Sequence, residues 1–255
     1  NTKLNYLVTV LDNNSGDDIG KTVASDKEIN FIQNDQNLGY AGGNNIGIKK
    51  ALGSSDYIFI VNPDVILKKN TIEILLKTAL DYSAEIVGPK IYFEYKKTIW
   101  HAGGILDKLN VIGTHLGMDE KDRGQYNKLR EVDFISGAAI MIKREVIEKI
   151  GFFDEKYFLY YEDADFCLRA KMADFKVLYV PGAVVYHKNA KSTGLGSPLQ
   201  DYYITRNRML FAGKFLPLRT KVALFREALR NLGNPMRRLA LWDFSIGNFG
   251  KGSLK

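Results

Sequence analysis

Cysteine is almost absent: Cys167 is the only one in 255 residues. That excludes a disulfide framework and fits a reducing compartment, so the cytoplasm is the expected location. No apolar run approaches the roughly 20 residues needed to span a bilayer, and no basic-then-apolar leader opens the chain. Repeats and low-complexity tracts are missing as well. What remains is a chain that is 45% hydrophobic, enough to bury a sizeable core as one α/β domain with an appendage.

The net charge of +7 is unevenly spread. From Lys188 onward the chain carries +10, whereas the first 187 residues carry −3. Such a basic tail suits an anionic lipid surface, a lipid diphosphate or nucleic acid, and equally a solvated helical face. Its cations are interleaved with Leu218, Val222, Phe225 and Leu229 at helical spacing. That pattern points to an amphipathic helix on a membrane or partner and away from nucleic acid.

Strand-like and helix-like segments alternate through the first part. Leu4–Leu11, Ile29–Gln33 and Tyr57–Val61 read as strands, and 41–52 and 70–82 as helices. This βαβ alternation predicts a mostly parallel sheet whose ligands lie beyond the carboxyl ends of its strands. From Ile91 to Ile142, shorter pieces punctuated by glycine predict an antiparallel excursion that shapes an acceptor site. Helices are expected at 162–173, 199–215 and 218–232, with strands at 176–180 and 183–187 around Pro181-Gly182. A Gly- and Ser-rich loop is expected at 192–197. Residues 1–215 then form the main domain and 216–255 a basic amphipathic helical extension.

Several polar clusters sit where such a sheet would bind ligand. Asp12-Asn13-Asn14-Ser15 ends the first strand, where a carboxylate can accept from a nucleobase imide; an ordinary polar turn also explains it. Between Asn37 and Gly47, Gly39, Gly42 and Gly43 with Asn44 and Asn45 allow close backbone approach at a helix start, which suits phosphate. This segment lacks the Lys-Ser/Thr of a P-loop and the glycine spacing of a dinucleotide fingerprint. Asn62-Pro63-Asp64 offers an acid from a buried strand to a hard cation, or simply caps that strand. In Tyr160-Tyr161-Glu162-Asp163-Ala164-Asp165, three acids meet a helix start, as the helix dipole favours. The two tyrosines before them suggest a walled pocket with one carboxylate tuned as a base. His187 closes a strand and either completes a metal site or is structural. Arg206 and Arg208 are candidate diphosphate clamps, or surface charge. His101 and His115 have no comparable setting.

Taken in order over residues 4–210, these segments, with Ser136-Gly137-Ala138 and Gly151-Phe152-Phe153-Asp154, resemble the family 2 glycosyltransferases of GT-A fold. Within them the pattern is similar to the bacterial rhamnosyltransferase-like branch. The resemblance implies a Rossmann-like α/β domain and an inverting transfer of sugar, rhamnose included, from a nucleoside-diphosphate donor to an acceptor hydroxyl. It implies that Asp12 reads the base of a UDP- or dTDP-sugar, that Asn37, Gly39, Gly43, Asn44 and Asn62 lie along the donor, and that Arg206 and Arg208 meet its diphosphate. Asp64 and His187 are implied as ligands of Mg²⁺ or Mn²⁺. Asp163 is implied as the catalytic base, with Glu162, Asp165 and Phe153 on the acceptor side. The acceptor would be a glycan or lipid-linked sugar, met on the inner face of the plasma membrane in polysaccharide or glycolipid assembly.

Two departures stand out. The metal motif usually begins with Asp, and Asn62 occupies that position, which lowers the site's charge. The family also opens with a strand and helix ahead of the segment matching Leu4–Leu11, which reads here as a truncation or a missing N-terminal piece. Two other readings compete: a sugar-phosphate nucleotidylyltransferase, which would need neither the acidic cluster at 162–165 nor His187, and a non-catalytic carbohydrate-binding relic of a transferase.

Overall fold

The computed structural model describes residues 4–93, 97–188 and 196–254. The chain opens with β1 (Val8–Asp12), α1 (Ile19–Val23), β2 (Ile29–Gln33), α2 (Gly39–Ala51) and β3 (Tyr57–Val61). After β4 (Val65–Leu67) and α3 (Thr71–Asp81) comes β5 (Ile86–Phe93), followed by β6 (Ile99–His101) and a hairpin of β7 (Gly104–Asp107) and β8 (Ile112–His115). The remainder is β9 (Arg130–Glu131), β10 (Ala139–Lys143), α4 (Arg144–Ile150), α5 (Glu162–Met172) and β11 (Val177–His187). Three helices close it: α6 (Pro198–Phe215), α7 (Leu218–Arg230) and α8 (Pro235–Ile246).

β1 and β2 pair in parallel as a two-stranded sheet. The main sheet runs β3-β10-β5-β11-β4, with β6 added on β5 and β9 on β11. β5 and β11 are parallel, and β10 lies antiparallel between β3 and β5, so β3, β5 and β11 all point one way. The antiparallel excursion and the C-terminal helices are present as the sequence indicated. Alternation along the strands sorts the core into two layers. Ile86, Ile140, Ile142, Val177 and Tyr179 pack with Ile48 of α2, Val146 of α4 and Phe166 of α5. Their neighbours Val87, Met141, Leu178 and Val180 pack with Leu75 and Ala79 of α3.

Local differences from the sequence reading have clear causes. β11 is one strand with an irregularity between Val180 and Val184, because the Pro181-Gly182 step is absorbed as a bulge beside β5. β5 begins at Ile86, ahead of the strand-like pieces read from Ile91 onward, and carries Lys90 in its middle. In the fold that lysine is buried, and its ammonium donates to Asp122 at 2.7 Å and Asn127 at 2.6 Å. α8 lies inside the expected helical extension but was given no bounds, although its start is written plainly: Asn234 caps Met236 and Arg237, and Pro235 takes the first turn. Most of the loop expected at 192–197 lies outside the described residues. Among the described residues no helix is long and apolar enough to cross a membrane.

Candidate active site

The carboxyl ends of β1, β2, β3 and β11 bring together most of the polar residues singled out above. At the end of β1, Asp12 is buried and accepts from the Ser15 amide at 2.9 Å and from Gln33 Nε2 at 3.0 Å. The Ser15 amide, then Gln33, hold its carboxyl below the usual range, so it stays ionised. Its neighbour Asn13, not anticipated as a site residue, is the knot of the loop. Asn13 accepts from Leu38 N at 3.1 Å and Asn34 Nδ2 at 3.0 Å, and donates to Gly39 O at 2.9 Å and Asn37 Oδ1 at 3.2 Å. Asn37 in turn accepts from the Gly39 amide at 2.9 Å.

Glycine is required at Gly39 and favoured at Gly43. Gly39 has φ +72°, and a Cβ there would lie 2.4 Å from Phe158 O. At Gly43 a Cβ would stand 3.0 Å from Asn13 Nδ2. Asn44 is turned back onto its own helix, donating to Tyr40 O at 2.9 Å.

Asp64 follows β3 and His187 ends β11, and the fold brings them into contact across 123 residues, with His187 Nε2 3.0 Å from Asp64 Oδ1. His187 is buried, and its Nδ1 has no hydrogen-bond partner, so Nε2 is the nitrogen turned to the carboxylate. The Trp100 ring stands nearly perpendicular to His187 with centroids 4.8 Å apart, and to His115 at 4.9 Å. The resemblance implies a divalent cation, and this donor set fits one. The Asp64 carboxylate is a donor of the kind that suits Mg²⁺ or Mn²⁺, and His187 Nε2 beside it could complete such a site. Among the described residues no group of three His, Cys, Asp or Glu gathers.

Asp163 sits in the first turn of α5. Its Oδ2 accepts from the Gly137 amide at 3.1 Å and its Oδ1 from the Ala164 amide at 2.7 Å. Gly137 O accepts from the Tyr40 hydroxyl at 2.6 Å, and the adjacent Ala138 O accepts from the Asn62 amide at 3.0 Å. One short segment before β10 therefore connects Asp163, the start of α2 and the loop of Asp64. Burial raises the pKa of Asp163, against the pull of the Gly137 and Ala164 amides. Glu162 is buried with its Oε2 unpartnered, and burial, reinforced by Asp163, holds its pKa well above the usual carboxylate range.

Four expected site residues are committed elsewhere. Phe153 is buried against Tyr40 and Phe166, and its backbone is bonded at both ends by Asn45, so it offers no face to an acceptor. Asp165 is fully buried and paired with Arg169 at 2.7 Å, with Lys214, and with the Tyr157 hydroxyl at 3.1 Å. Arg206 is fully buried, and its guanidinium donates to Tyr157 O at 3.1 Å and Lys156 O at 3.3 Å. Arg208 donates to Asn110 O at 2.9 Å and pairs with Glu227 at 2.8 Å, tying the β7–β8 turn to α6 and α7. Charge on α6 was legible in the sequence; that it would be spent on backbone carbonyls and structural acids was not.

A family model described as "Glycosyltransferase like family 2" matches residues 6–212. The chain is 28% identical over 215 residues to the low-salt glycan biosynthesis hexosyltransferase Agl10 of Haloferax volcanii, spanning 79% of this chain and 65% of that protein. It is 27% identical over 226 residues to the dTDP-rhamnosyl transferase RfbF of Shigella flexneri, spanning 82% and 72% respectively. Among solved structures it is similar to GalNAc-T7 with UDP, GalNAc and Mn²⁺, with a TM-score of 0.60 at 14% identity over 87% of this chain and 47% of that one. At that identity the likeness is one of fold.

Proposed function

The chain belongs to glycosyltransferase-like family 2, and from that premise we propose that it transfers a sugar from a nucleoside-diphosphate donor to an acceptor hydroxyl with inversion. Asp163 takes the hydroxyl proton while the acceptor oxygen bonds to the sugar's anomeric carbon. The bond from that carbon to the diphosphate breaks, and its electron pair leaves with the nucleoside diphosphate. Asp12 reads the base, and Asn37, Gly39, Gly43, Asn44 and Asn62 line the donor. Glu162, with its unpartnered oxygen, serves the acceptor side. Asp64 and His187 would hold a divalent cation, whose positive charge would offset the negative charge growing on the diphosphate.

The observation that carries this reading is the bridge at 137–138. Gly137 donates to Asp163, and Ala138 accepts from Asn62, two residues before Asp64. Asp163 and Asp64 thereby lie at one end of the sheet, which supports their roles as base and cation ligand. The similarity to a dTDP-rhamnosyl transferase favours a dTDP- or UDP-activated hexose or deoxyhexose, rhamnose included, and a place in cell-surface polysaccharide or glycolipid assembly. Residues 1–215 serve as the transferase domain and 216–255 as a basic extension that rests on anionic lipid beside a lipid-linked acceptor. Leu218, Val222, Phe225 and Leu229 form an exposed stripe on α7, with Arg219, Arg226 and Arg230 around it.

The test is a thermal-shift screen of UDP- and dTDP-sugars with and without Mn²⁺. Ligand at about 100 times its dissociation constant adds about 2.7 kcal/mol. Release of free nucleoside diphosphate supports transfer. Release of pyrophosphate instead would identify a nucleotidylyltransferase.

A further inference from the structure

The stretch entering α5 is held in a costly shape. Phe158, Tyr160 and Tyr161 have φ of 64°, 68° and 75°. This left-handed region is one that residues with a Cβ occupy only when their surroundings hold them there. Asp163 follows two residues later.

Accounting for the carbonyls of this stretch shows what holds it. Asn207, fully buried on α6, donates its side-chain amide to Tyr157 O at 2.8 Å, Leu159 O at 2.8 Å and Tyr160 O at 2.9 Å. The carbonyl between them, Phe158 O, accepts from the Tyr40 amide at the start of α2 at 2.7 Å. Arg206 and the Leu159 amide also donate to Tyr157 O. All four carbonyls from 157 to 160 are therefore capped, three by one amide group. Beyond them the Tyr161 hydroxyl donates to Val111 O at 2.7 Å.

We propose that Asn207 is a positioning residue for sugar transfer, which pins the 157–160 backbone around its left-handed Phe158 and Tyr160 and so sets where Asp163 stands relative to the donor. The proposal rests on Asp163 being the base. Asn207 lies on another helix and acts only through the backbone. It is also separable from the docking of α6, because Lys214 independently ties that helix to Asp154 and Asp165 and Tyr202 anchors it to Asp243. Removing the amide should free the segment without detaching the helix.

The test compares N207A, N207S and D163N in the full chain, using whichever of the UDP- or dTDP-sugars passes the screen above. N207A is expected to lower kcat by about 10- to 100-fold, the scale of a misplacement of about 1 Å, with the donor KM unchanged. N207S, which keeps one donor, should recover part of the loss. Hydrogen exchange followed by mass spectrometry should show the amides of 157–163 exchanging faster in N207A and those of β5 unchanged.

An unchanged kcat, a loss confined to KM, or unaltered exchange at 157–163 each overturns the proposal. So does failure of both Asn207 variants to melt cooperatively, which would make the residue a requirement for folding. A D163N protein as active as wild type would instead sink the base assignment, whatever the Asn207 variants do.

Discussion

Asp163 accepts a hydrogen bond from the Gly137 amide at 3.1 Å, although the two residues come from different parts of the chain. Gly137 leads into β10, which the sheet places between β3 and β5, so its amide points to the end of the sheet where Asp64 and His187 meet. A backbone donor at that spot steadies the carboxylate without supplying the proton that a base must be free to gain.

Replacing Asp163 by Asn should therefore lower kcat by about 10²- to 10⁴-fold and leave nucleotide binding intact. Since burial raises the pKa of Asp163, the acid limb of the wild-type rate profile should fall above the ordinary aspartate value of about 3.9. Steady-state rates against pH, with calorimetric titration of UDP or dTDP as the binding control, check both points. An acid limb at the ordinary value would remove burial from the account.

Cation dependence should follow Asp64 and His187. D64N and H187N are each expected to weaken Mn²⁺-dependent binding of UDP or dTDP by at least about tenfold, about 1.4 kcal/mol. Wild type treated with EDTA should behave like the variants. Calorimetry with and without Mn²⁺ decides it, and variants that keep the full metal response would exclude these two ligands.

Glu162 makes a stability prediction whose sign is set by its raised pKa, the result first of burial and then of Asp163 nearby. The folded state holds this proton longer than the unfolded chain. Stability is therefore lost as pH rises from the ordinary value of about 4.3 toward the raised one. E162Q has no proton to lose, so its melting temperature should exceed that of wild type by a margin that widens from pH 5 to pH 8. A gap independent of pH would mean that ionisation of Glu162 plays no part.

At Gly39, alanine would need a left-handed backbone and would press its Cβ to 2.4 Å from Phe158 O. G39A should lose at least about 2 kcal/mol, a fall in Tm of about 4–8 °C for a chain of this size. Nucleotide affinity should fall with it, since Gly39 accepts from Asn13 and donates to Asn37. Calorimetric melting reads the first effect and titration with nucleotide the second.

For α7, co-sedimentation with vesicles containing phosphatidylglycerol should drop about thirtyfold when Arg226 and Arg230 are both changed to Gln, at about 1 kcal/mol per cation. High salt should reduce binding of the wild type in parallel. F225S should weaken binding without altering the salt dependence. Sedimentation unaffected by salt or by either change would leave the stripe without a lipid role.

Much of the fold was readable because its signals are local. Strands Ile29–Gln33 and Tyr57–Val61 appear at the bounds their residues suggested, and helices α3, α5, α6 and α7 fall within a few residues of their expected ends. Periodicity and glycine punctuation act over a handful of neighbours, and so survive without tertiary knowledge. The same locality explains the misreadings. Nothing near Lys90 in sequence reveals Asp122, the partner that lets a lysine lie buried inside β5. Arg206 and Arg208 looked like phosphate clamps because nothing near them in sequence reveals Tyr157 O, Lys156 O or Asn110 O.

The sequence by itself determined the α/β alternation, the polar clusters at strand ends and the family, because these depend on the order of residue types along one dimension. Only the tertiary structure decided which charges are available to a ligand. It buried Arg206 and Asp165, joined Asp64 to His187, and made Asn207 the cap of a strained loop. The reason is physical: an ionic or polar side chain pairs with whatever donor or acceptor the fold places within about 3 Å, and that neighbour is set by packing rather than by sequence spacing.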